Sequence, residues 1–301
     1  MEWGIAINLR EPVSESVEKA KIADHGGIET IWITDFPATR LSPVLASIIA
    51  ENTENSRIGI GLLSPLLYSS SHILQMMITL IETYGERFDL LIGPGDRIKL
   101  GEVGVSYGKM STLVARMSDA ASSIRRRLSE YKECRVLVGA QGQKMIEAST
   151  SSDGVLLNYS DSEMIQWAIS LLNKKPIGFS IGVFPPSLIG FSKSCDEQMG
   201  IKTSAAIVAL GLNHSIMERF GLKKSLYPAI EMMKKQGLTD DIIKEIDSNI
   251  LNRFSLCGNI ESNIERLKDY QRIGVDMVVF GPPQGASLKG VERIVEAKSR
   301  F

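Results

Sequence analysis

Leu-Leu-Ile-Gly-Pro-Gly-Asp, at residues 90–96, is the stretch of sequence that decides the fold of this chain. The run 88–92 is short and mostly apolar, as expected for a parallel strand buried on both faces. Two glycines then flank Pro94, which has no N–H to give to a sheet, so the strand must end there. Asp96 is the first charge after that end. In a barrel of parallel strands, active sites are assembled at this end of the strands.

The same pattern recurs along the chain, where short β-rich runs alternate with helical patterns. The other predicted strands cover residues 3–8, 29–34, 57–63, 135–138, 154–157, 176–184 and 276–280. This alternation predicts an α/β fold, the (β/α)8 TIM barrel, with a helical insertion at about 196–253 between strands 7 and 8. A doubly wound sheet is the alternative, but the Gly-x-Gly-x-x-Gly typical of it does not follow the first strand. We expect residues 1–301 to form one domain, and Ser42 to be the N-cap of a helix over 42–52.

Composition limits the classes of partner. The chain has 301 residues, 44% of them hydrophobic, and a net charge of -1. A chain so close to neutral, whose largest basic block is Arg125-Arg126-Arg127, is not expected to bind nucleic acid. Its longest apolar runs are far shorter than a membrane span, and its first residues lead straight into a predicted strand. We therefore expect a cytoplasmic protein without a membrane partner.

The cysteines agree with that expectation. Cys134, Cys195 and Cys257 are widely spaced and odd in number, which indicates neither a disulfide framework nor a zinc motif. We expect free thiols in a reducing compartment.

Small polar residues and glycines follow the predicted strands. They are Asn8, Asp35, Ser64, Gly93 to Asp96, Gly139 to Gly142, Asn158 and Gly281-Pro282. The three histidines (His25, His72 and His214) fall in helical patterns, so no catalytic triad is expected, and no metal-ligand spacing is present. A mouth rich in backbone donors and poor in nucleophiles suits a large polar cofactor that brings its own reactivity.

Several of these stretches together resemble one family. They are Trp32-Ile33-Thr34-Asp35 with Arg40, Gly61 to Pro65, Ile92-Gly93-Pro94-Gly95-Asp96, Gly139-Ala140-Gln141-Gly142 with Lys144-Met145, and Gly274-Val275-Asp276. In order, and over nearly the whole chain, they resemble the bacterial luciferase-like barrels, especially the archaeal methylenetetrahydromethanopterin reductase branch.

This resemblance implies a deazaflavin, coenzyme F420, bound at the C-terminal mouth, with a hydride passing between it and a pterin-linked one-carbon carrier. The implied coenzyme-binding residues are Gly61, Leu62, Ser64, Gly93, Gly95, Asp96, Gly139, Ala140, Gln141, Gly142 and Asn158. Asp35 and Phe36 take the catalytic positions, and Asn8 and Arg40 the substrate side. The family also implies a bulge with a non-proline cis peptide at Gly61-Leu62, a homodimer or homotetramer, and no metal.

Some mouth positions depart from the family pattern. Phe36 stands where the family usually has His, Ala6 where the reductases carry Glu, and Ser69-Ser70 where His-Pro is typical. The coenzyme site is therefore kept while the substrate site is altered. Two alternatives stay open: an FMN-dependent luciferase-like monooxygenase, and a relative that binds the coenzyme without turnover.

Overall fold

The computed structural model describes residues 1–7, 10–37, 39–191 and 195–301. Its strands are β1 (Glu2–Ile7), β2 (Thr30–Ile33), β3 (Arg57–Leu63), β4 (Phe88–Ile92), β5 (Arg135–Ala140), β6 (Gly154–Leu157), β7 (Ser180–Val183), β8 (Ser187–Ile189), β9 (Leu256–Gly258) and β10 (Met277–Phe280). All except β8 and β9 form a closed parallel barrel in the order β1-β10-β7-β6-β5-β4-β3-β2. The predicted TIM barrel is confirmed, with β10 as its eighth strand.

Helices cover the outside of the barrel. They are α1 (Val13–His25), α2 (Ser42–Glu51), α3 (Ser70–Tyr84), α4 (Arg97–Glu102), α5 (Met110–Arg127), α6 (Gln143–Ala148), α7 (Ser162–Ser170), α8 (Met199–Leu210), α9 (His214–Arg219), α10 (Lys223–Gln236), α11 (Asp240–Glu245), α12 (Ser248–Asn252), α13 (Ile260–Arg272) and α14 (Leu288–Arg300). Helices α8 to α12 are the predicted insertion between the seventh and eighth barrel strands, which is therefore confirmed. None of the helices in the described ranges combines the length and the apolar character needed to cross a membrane.

Three short elements escaped the sequence prediction. Strands β8 and β9, of three residues each, pair in parallel outside the barrel, and α4 is a short helix between β4 and α5. Runs this short give no readable periodicity. Since β8 precedes the insertion and β9 follows it, their pairing brings the two ends of the insertion together.

The prediction of free cysteines is wrong for two of the three. Cys195 and Cys257 form a disulfide across a sequence separation of 62, with their Cα atoms 6.1 Å apart. Cys134 remains a buried free thiol. A separation this long carries no sequence signal, because the two residues meet only when β8 pairs with β9 at the base of the insertion.

The barrel interior is packed with side chains. Trp32 fills its middle, and a Cβ on the neighbouring Gly59 would collide with the indole ring. Leu91, Leu137 and Met277 complete this layer with other apolar residues. The lumen below the C-terminal mouth is therefore a closed core rather than a channel, as expected for the fold.

Charged side chains close the N-terminal end of the barrel. The fully buried Asp89 accepts hydrogen bonds from Arg57 Nη2 at 2.7 Å and Arg135 Nε at 3.0 Å. Arg135 also reaches Glu2, with Nη1 2.8 Å from Oε2. Burial works to raise the pKa of Asp89, but the hydrogen bonds and charges of the two arginines outweigh it and hold that pKa below its usual value.

Candidate active site

Leu62 forms an apolar platform at the C-terminal mouth of the barrel. The peptide bond between Gly61 and Leu62 is cis, and the register of β3 against β4 shifts between Ile60 and Leu63. The predicted bulge and non-proline cis bond are both confirmed. Leu62 is partly buried and packs on the lumen cluster at its upper end.

The glycines at the ends of β4 and β5 lie directly under this side chain. A Cβ on Gly139 would lie 2.9 Å from Leu62 Cδ1, and a Cβ on Gly93 would collide with the same group. Gly61 has φ +137, and a Cβ there would collide with the Leu91 carbonyl oxygen. Gly93 and Gly139 therefore make room for the Leu62 side chain. We call Gly61, Leu62, Gly93 and Gly139 together the Leu62 platform.

Side chains after β3 and β4 are engaged with their own loops. Ser64 Oγ donates to the Pro94 carbonyl at 2.9 Å, and Asp96 Oδ1 accepts from the Lys99 amide at 3.0 Å. The Tyr107 hydroxyl donates to the Gly95 carbonyl. Burial, reinforced by the charge of Asp96, raises the pKa of Tyr107 to about 12, so this donor stays protonated. These contacts fix the turn after β4 and its backbone.

The loop after β5 is held from the side of the insertion. Gln141 Nε2 donates to the Val208 carbonyl of α8 at 3.1 Å, and a Cβ on Gly142 would lie 3.2 Å from Asn213 Nδ2. The Tyr159 hydroxyl donates to the Gln141 carbonyl, and the Asn158 amide donates to the Ala140 carbonyl at 3.3 Å. These contacts connect the predicted residues of β5 and β6 with one another, and the helical insertion forms part of the wall around them.

Asp35 lies at the end of β2 between two hydroxyl groups. Its Oδ1 accepts from Ser42 Oγ at 2.8 Å, and its Oδ2 accepts from the Tyr68 hydroxyl at 3.3 Å. Burial raises the pKa of the Asp35 carboxyl, and the hydrogen bonds from Ser42 and Tyr68 offset only part of that effect. The carboxyl is therefore biased towards holding a proton, as is common for groups in functional sites.

The predicted N-cap role of Ser42 is wrong. Ser42 is the first residue of α2, and the N-cap position belongs to Leu41, whose side chain makes no capping hydrogen bond. The Ser42 hydroxyl donates instead to Asp35, and so ties the start of α2 to the end of β2.

Tyr68 is a site residue that the sequence did not reveal. Burial, followed by the charge and hydrogen bond of Asp35, raises the pKa of Tyr68 to about 12. Strands β2 and β3 are neighbours in the barrel, so the loops that follow them were expected to meet. Which side chains touch there depends on the path of each loop, and sequence spacing does not encode it.

The remaining predicted residues lie on the rim. Phe36 is 39% exposed, a high value for an aromatic side chain. Arg40 is exposed and donates through Nη1 to the Glu11 carbonyl, which joins the loops after β1 and β2. The Glu11 carboxylate lies 3.2 Å from the buried Lys19 ammonium. Asn8 falls outside the described residues.

Histidines and metal ligands play no part in this arrangement as far as the structure describes the chain. His25 ends α1, His72 lies in α3 and His214 begins α9, so the predicted helical placement is confirmed. Among the described residues, no group of three or more His, Cys, Asp and Glu side chains is placed to hold a metal ion. The described part of the mouth offers an apolar platform, fixed backbone groups and the pair of the Asp35 carboxyl and the Tyr68 phenol.

Comparison with known proteins identifies the class of protein to which this closed parallel barrel belongs. The family model of the luciferase-like monooxygenases matches residues 2–277, and the chain belongs to this family. Its fold is also similar to an FMN complex of a type II Baeyer-Villiger monooxygenase from Pseudomonas putida, with a TM-score of 0.62 and 12% identity over 99% of this chain and 97% of that one.

More similar proteins lie in the branch indicated by the sequence motifs. The chain is 25% identical to 5,10-methylenetetrahydromethanopterin reductase from Archaeoglobus fulgidus, over 96% of each protein. It superposes on coenzyme F420 dependent tetrahydromethanopterin reductase from Methanopyrus kandleri with a TM-score of 0.84 and 18% identity, covering 98% of this chain and 97% of that one. The predicted family resemblance is thereby confirmed.

Proposed function

We propose that this protein is a coenzyme F420-dependent oxidoreductase that acts on a methylenetetrahydromethanopterin-like one-carbon carrier. The observation that carries the proposal is the Leu62 platform, in which the Leu62 side chain packs over Gly93 and Gly139 at the C-terminal mouth. The reductases similar to this chain over nearly their whole length support the same coenzyme and substrate.

The residues present fit such a coenzyme. The platform is apolar and held from below by the lumen cluster, which suits the face of a tricyclic ring. Several polar side chains around it are engaged in the loops, so the coenzyme would be held largely by backbone N–H groups of the turns that follow β4 and β5, at Gly95, Asp96 and Gly142. Such groups suit its phosphate and acidic tail. When bound, the coenzyme supplies the hydride.

The chain's own contribution is orientation and a dry pocket. Hydride transfer is accelerated mainly by holding donor and acceptor carbons close together and aligned. The apolar ring of Phe36 would cover the substrate side and exclude water. Phe36 has no proton to give, so it would not act as an acid. The Asp35 carboxyl group, which is held by Ser42 and Tyr68, would hold or accept a proton next to the substrate side. Arg40, with Asn8, would contact the substrate.

The test is a pair of titrations and an assay. Purified protein is titrated with F420 and with FMN, followed by absorbance and fluorescence, and then supplied with reduced F420 and methylenetetrahydromethanopterin. We expect F420 to bind and its oxidation to depend on the pterin. Gly139→Ala, whose new methyl group would push Leu62 upwards, should weaken binding of F420 more than it lowers the free energy of unfolding.

Two other outcomes would support other functions. Binding of FMN in preference to F420 would favour a monooxygenase, the function suggested by the FMN-bound structural neighbour. Binding of F420 without hydride transfer would favour a non-catalytic relative, consistent with Phe36 and Ala6 at positions where the reductases carry His and Glu.

Further expectations belong to the same proposal. We propose that residues 1–301 act as one domain, and that the protein forms a homodimer or homotetramer. A cytoplasmic location also stays a proposal, and the Cys195–Cys257 disulfide tests it, because such bonds are rare in cytosolic proteins outside hyperthermophiles. Thiol trapping in the source cells tests the location. Size-exclusion chromatography of the purified protein tests the oligomeric state.

A further inference from the structure

We propose that the Cys195–Cys257 disulfide is a redox control on the loop after β5. Reduction of the bond by a dithiol would loosen the attachment of the helical insertion and weaken coenzyme binding. The effect on coenzyme binding rests on the proposed function, whereas the loosening of the loop does not.

The bond closes a covalent ring around the insertion. Cys195 precedes α8, Cys257 lies in β9 after α12, and the chain between them contains α8 to α12. Cys195 lines a small crevice with Ile201 of α8 and Leu251 of α12, so the bond sits where the two ends of the insertion meet. Both cysteines are partly exposed, which gives a dissolved dithiol access to the sulfur atoms.

The end of the insertion at Cys257 is also held to the barrel by polar contacts. Arg253 Nε lies 2.6 Å from Asp161 Oδ2, and Ser160 Oγ donates to the Arg253 carbonyl at 2.8 Å. The beginning of α8 is joined to this fixed end through Cys195. Breaking the bond would therefore remove the covalent tether of the α8 end, while the contacts of Arg253 keep the other end in place.

A rigid helix connects Cys195 with the coenzyme-binding loop. Helix α8 has 12 residues and is about 18 Å long at the usual rise per residue. Its last turn carries the Val208 carbonyl that accepts from Gln141 at 3.1 Å, and Asn213 packs beside Gly142 just beyond it. A shift at the first turn of α8 would therefore move the wall of the loop at residues 139–142.

The exchange step balances without another group of the protein. A dithiol reduces the Cys195–Cys257 bond, two electrons and two protons pass to the two cysteines, and the dithiol becomes a cyclic disulfide. Cys134 stays outside this exchange, because it is buried and burial raises the pKa of its thiol to about 12.

The experiment compares the full-length protein before and after treatment with dithiothreitol. Alkylation and mass spectrometry count the thiols, F420 fluorescence gives Kd, and hydrogen exchange follows residues 139–142 and 208–213. We expect Kd to rise about tenfold on reduction, within the usual range of coupling between two sites, and exchange to increase in those two segments. The double variant Cys195→Ser/Cys257→Ser should match the reduced protein in both buffers, while Cys134→Ala should still respond.

Each other result has a definite meaning. Unchanged exchange in both segments after complete reduction overturns the inference. Increased exchange throughout the barrel strands also overturns it, since the bond would then be needed for folding as a whole. Local exchange with no F420 binding in either state would support the redox control and reject the proposed coenzyme. If the double variant fails to fold, reduction of the folded wild-type protein remains the deciding measurement.

Discussion

Each end of the barrel holds a carboxyl group that is shielded from solvent, and the pKa values of these two groups are shifted in opposite directions. Asp89 at the N-terminal end accepts from two arginines, and its pKa is lowered despite complete burial. Asp35 at the C-terminal end accepts, within the described ranges, from Ser42 and Tyr68, and burial raises its pKa. A neutral hydroxyl offsets less of the cost of burying a charge than a guanidinium does.

This difference separates a structural charge from an adjustable one. The network of Asp89, Arg57, Arg135 and Glu2 has its charges matched within the barrel, and changing one member leaves the others unpaired. Among the residues that the structure describes, Asp35 is held by hydroxyl groups and forms no ion pair, so a substrate or coenzyme can still alter its protonation. Four substitutions test this difference between the two ends of the barrel.

The largest effect is expected for Asp89→Asn. The neutral amide would leave Arg57 and Arg135 without a buried counter-charge, and we expect the free energy of unfolding to fall by about 3–5 kcal/mol. Denaturant unfolding at pH 7 measures this value. A loss below about 1 kcal/mol would mean that the network is not structural.

The lowered pKa of Asp89 also predicts how the free energy of unfolding changes with pH. Its folded pKa is lowered, so its contribution to stability is complete above the unfolded value of about 3.9 and is lost as pH falls below it. Wild-type protein should therefore lose stability in that acid range more steeply than Asp89→Asn does.

Asp35→Asn is expected to act on turnover instead of stability. The folded pKa of Asp35 is raised, so its ionisation opposes folding as pH rises through that pKa, and a neutral amide removes this cost. We expect kcat to fall about 100-fold if the group handles a proton, with no loss of stability at neutral pH. Steady-state kinetics and denaturant unfolding on the same preparation check both halves. Full turnover in the variant would leave Asp35 as a link between β2 and α2.

Leu62→Ala tests the platform. Truncation removes the apolar surface over Gly93 and Gly139, and we expect F420 affinity to fall about tenfold, or 1.4 kcal/mol. Fluorescence titration measures the change. The matched control is Leu41→Ala, since Leu41 is 57% exposed and lies outside the platform. Equal affinity of the Leu62 variant and the wild type would mean that the ring binds elsewhere.

The smallest effect on stability is expected for Phe36→His. Phe36 is an exposed rim residue, and the free energy of unfolding should change by less than about 0.5 kcal/mol. A histidine there would add a group that titrates near pH 6.5, so the pH profile of kcat should gain a step in that region. Kinetics between pH 5 and 8 decide. A superimposable profile and substrate range would make Phe36 a packing residue.

Much of the barrel was predictable because its signals are local. The predicted ranges 57–63, 88–92 and 154–157 match β3, β4 and β6, since each is a mostly apolar run followed by a residue that favours a turn or loop: Ser64 before Pro65, Gly93 and Asn158. The bulge at Gly61-Leu62 followed from the family resemblance and not from periodicity.

Other features depend on contacts between distant parts of the chain. The partnership of Tyr68 with Asp35, the covering of Gly93 by Leu62, and the Cys195–Cys257 bond each join residues separated by 31 to 62 positions. Single-residue preferences do not encode such pairs. The sequence therefore predicted which strand ends form the mouth, but not which side chains meet there.

Leu62 also determines the order in which the mouth can accept mutations. While residue 62 is leucine, an alanine at 93 or 139 meets its side chain, so neither glycine can change first without cost. A shorter residue at 62 would remove that obstacle from both positions at once. Gly61 gains nothing from this change, because its obstacle is the Leu91 carbonyl, which belongs to the backbone of β4. An evolutionary or engineered route that places side chains at residues 93 and 139 therefore begins at residue 62.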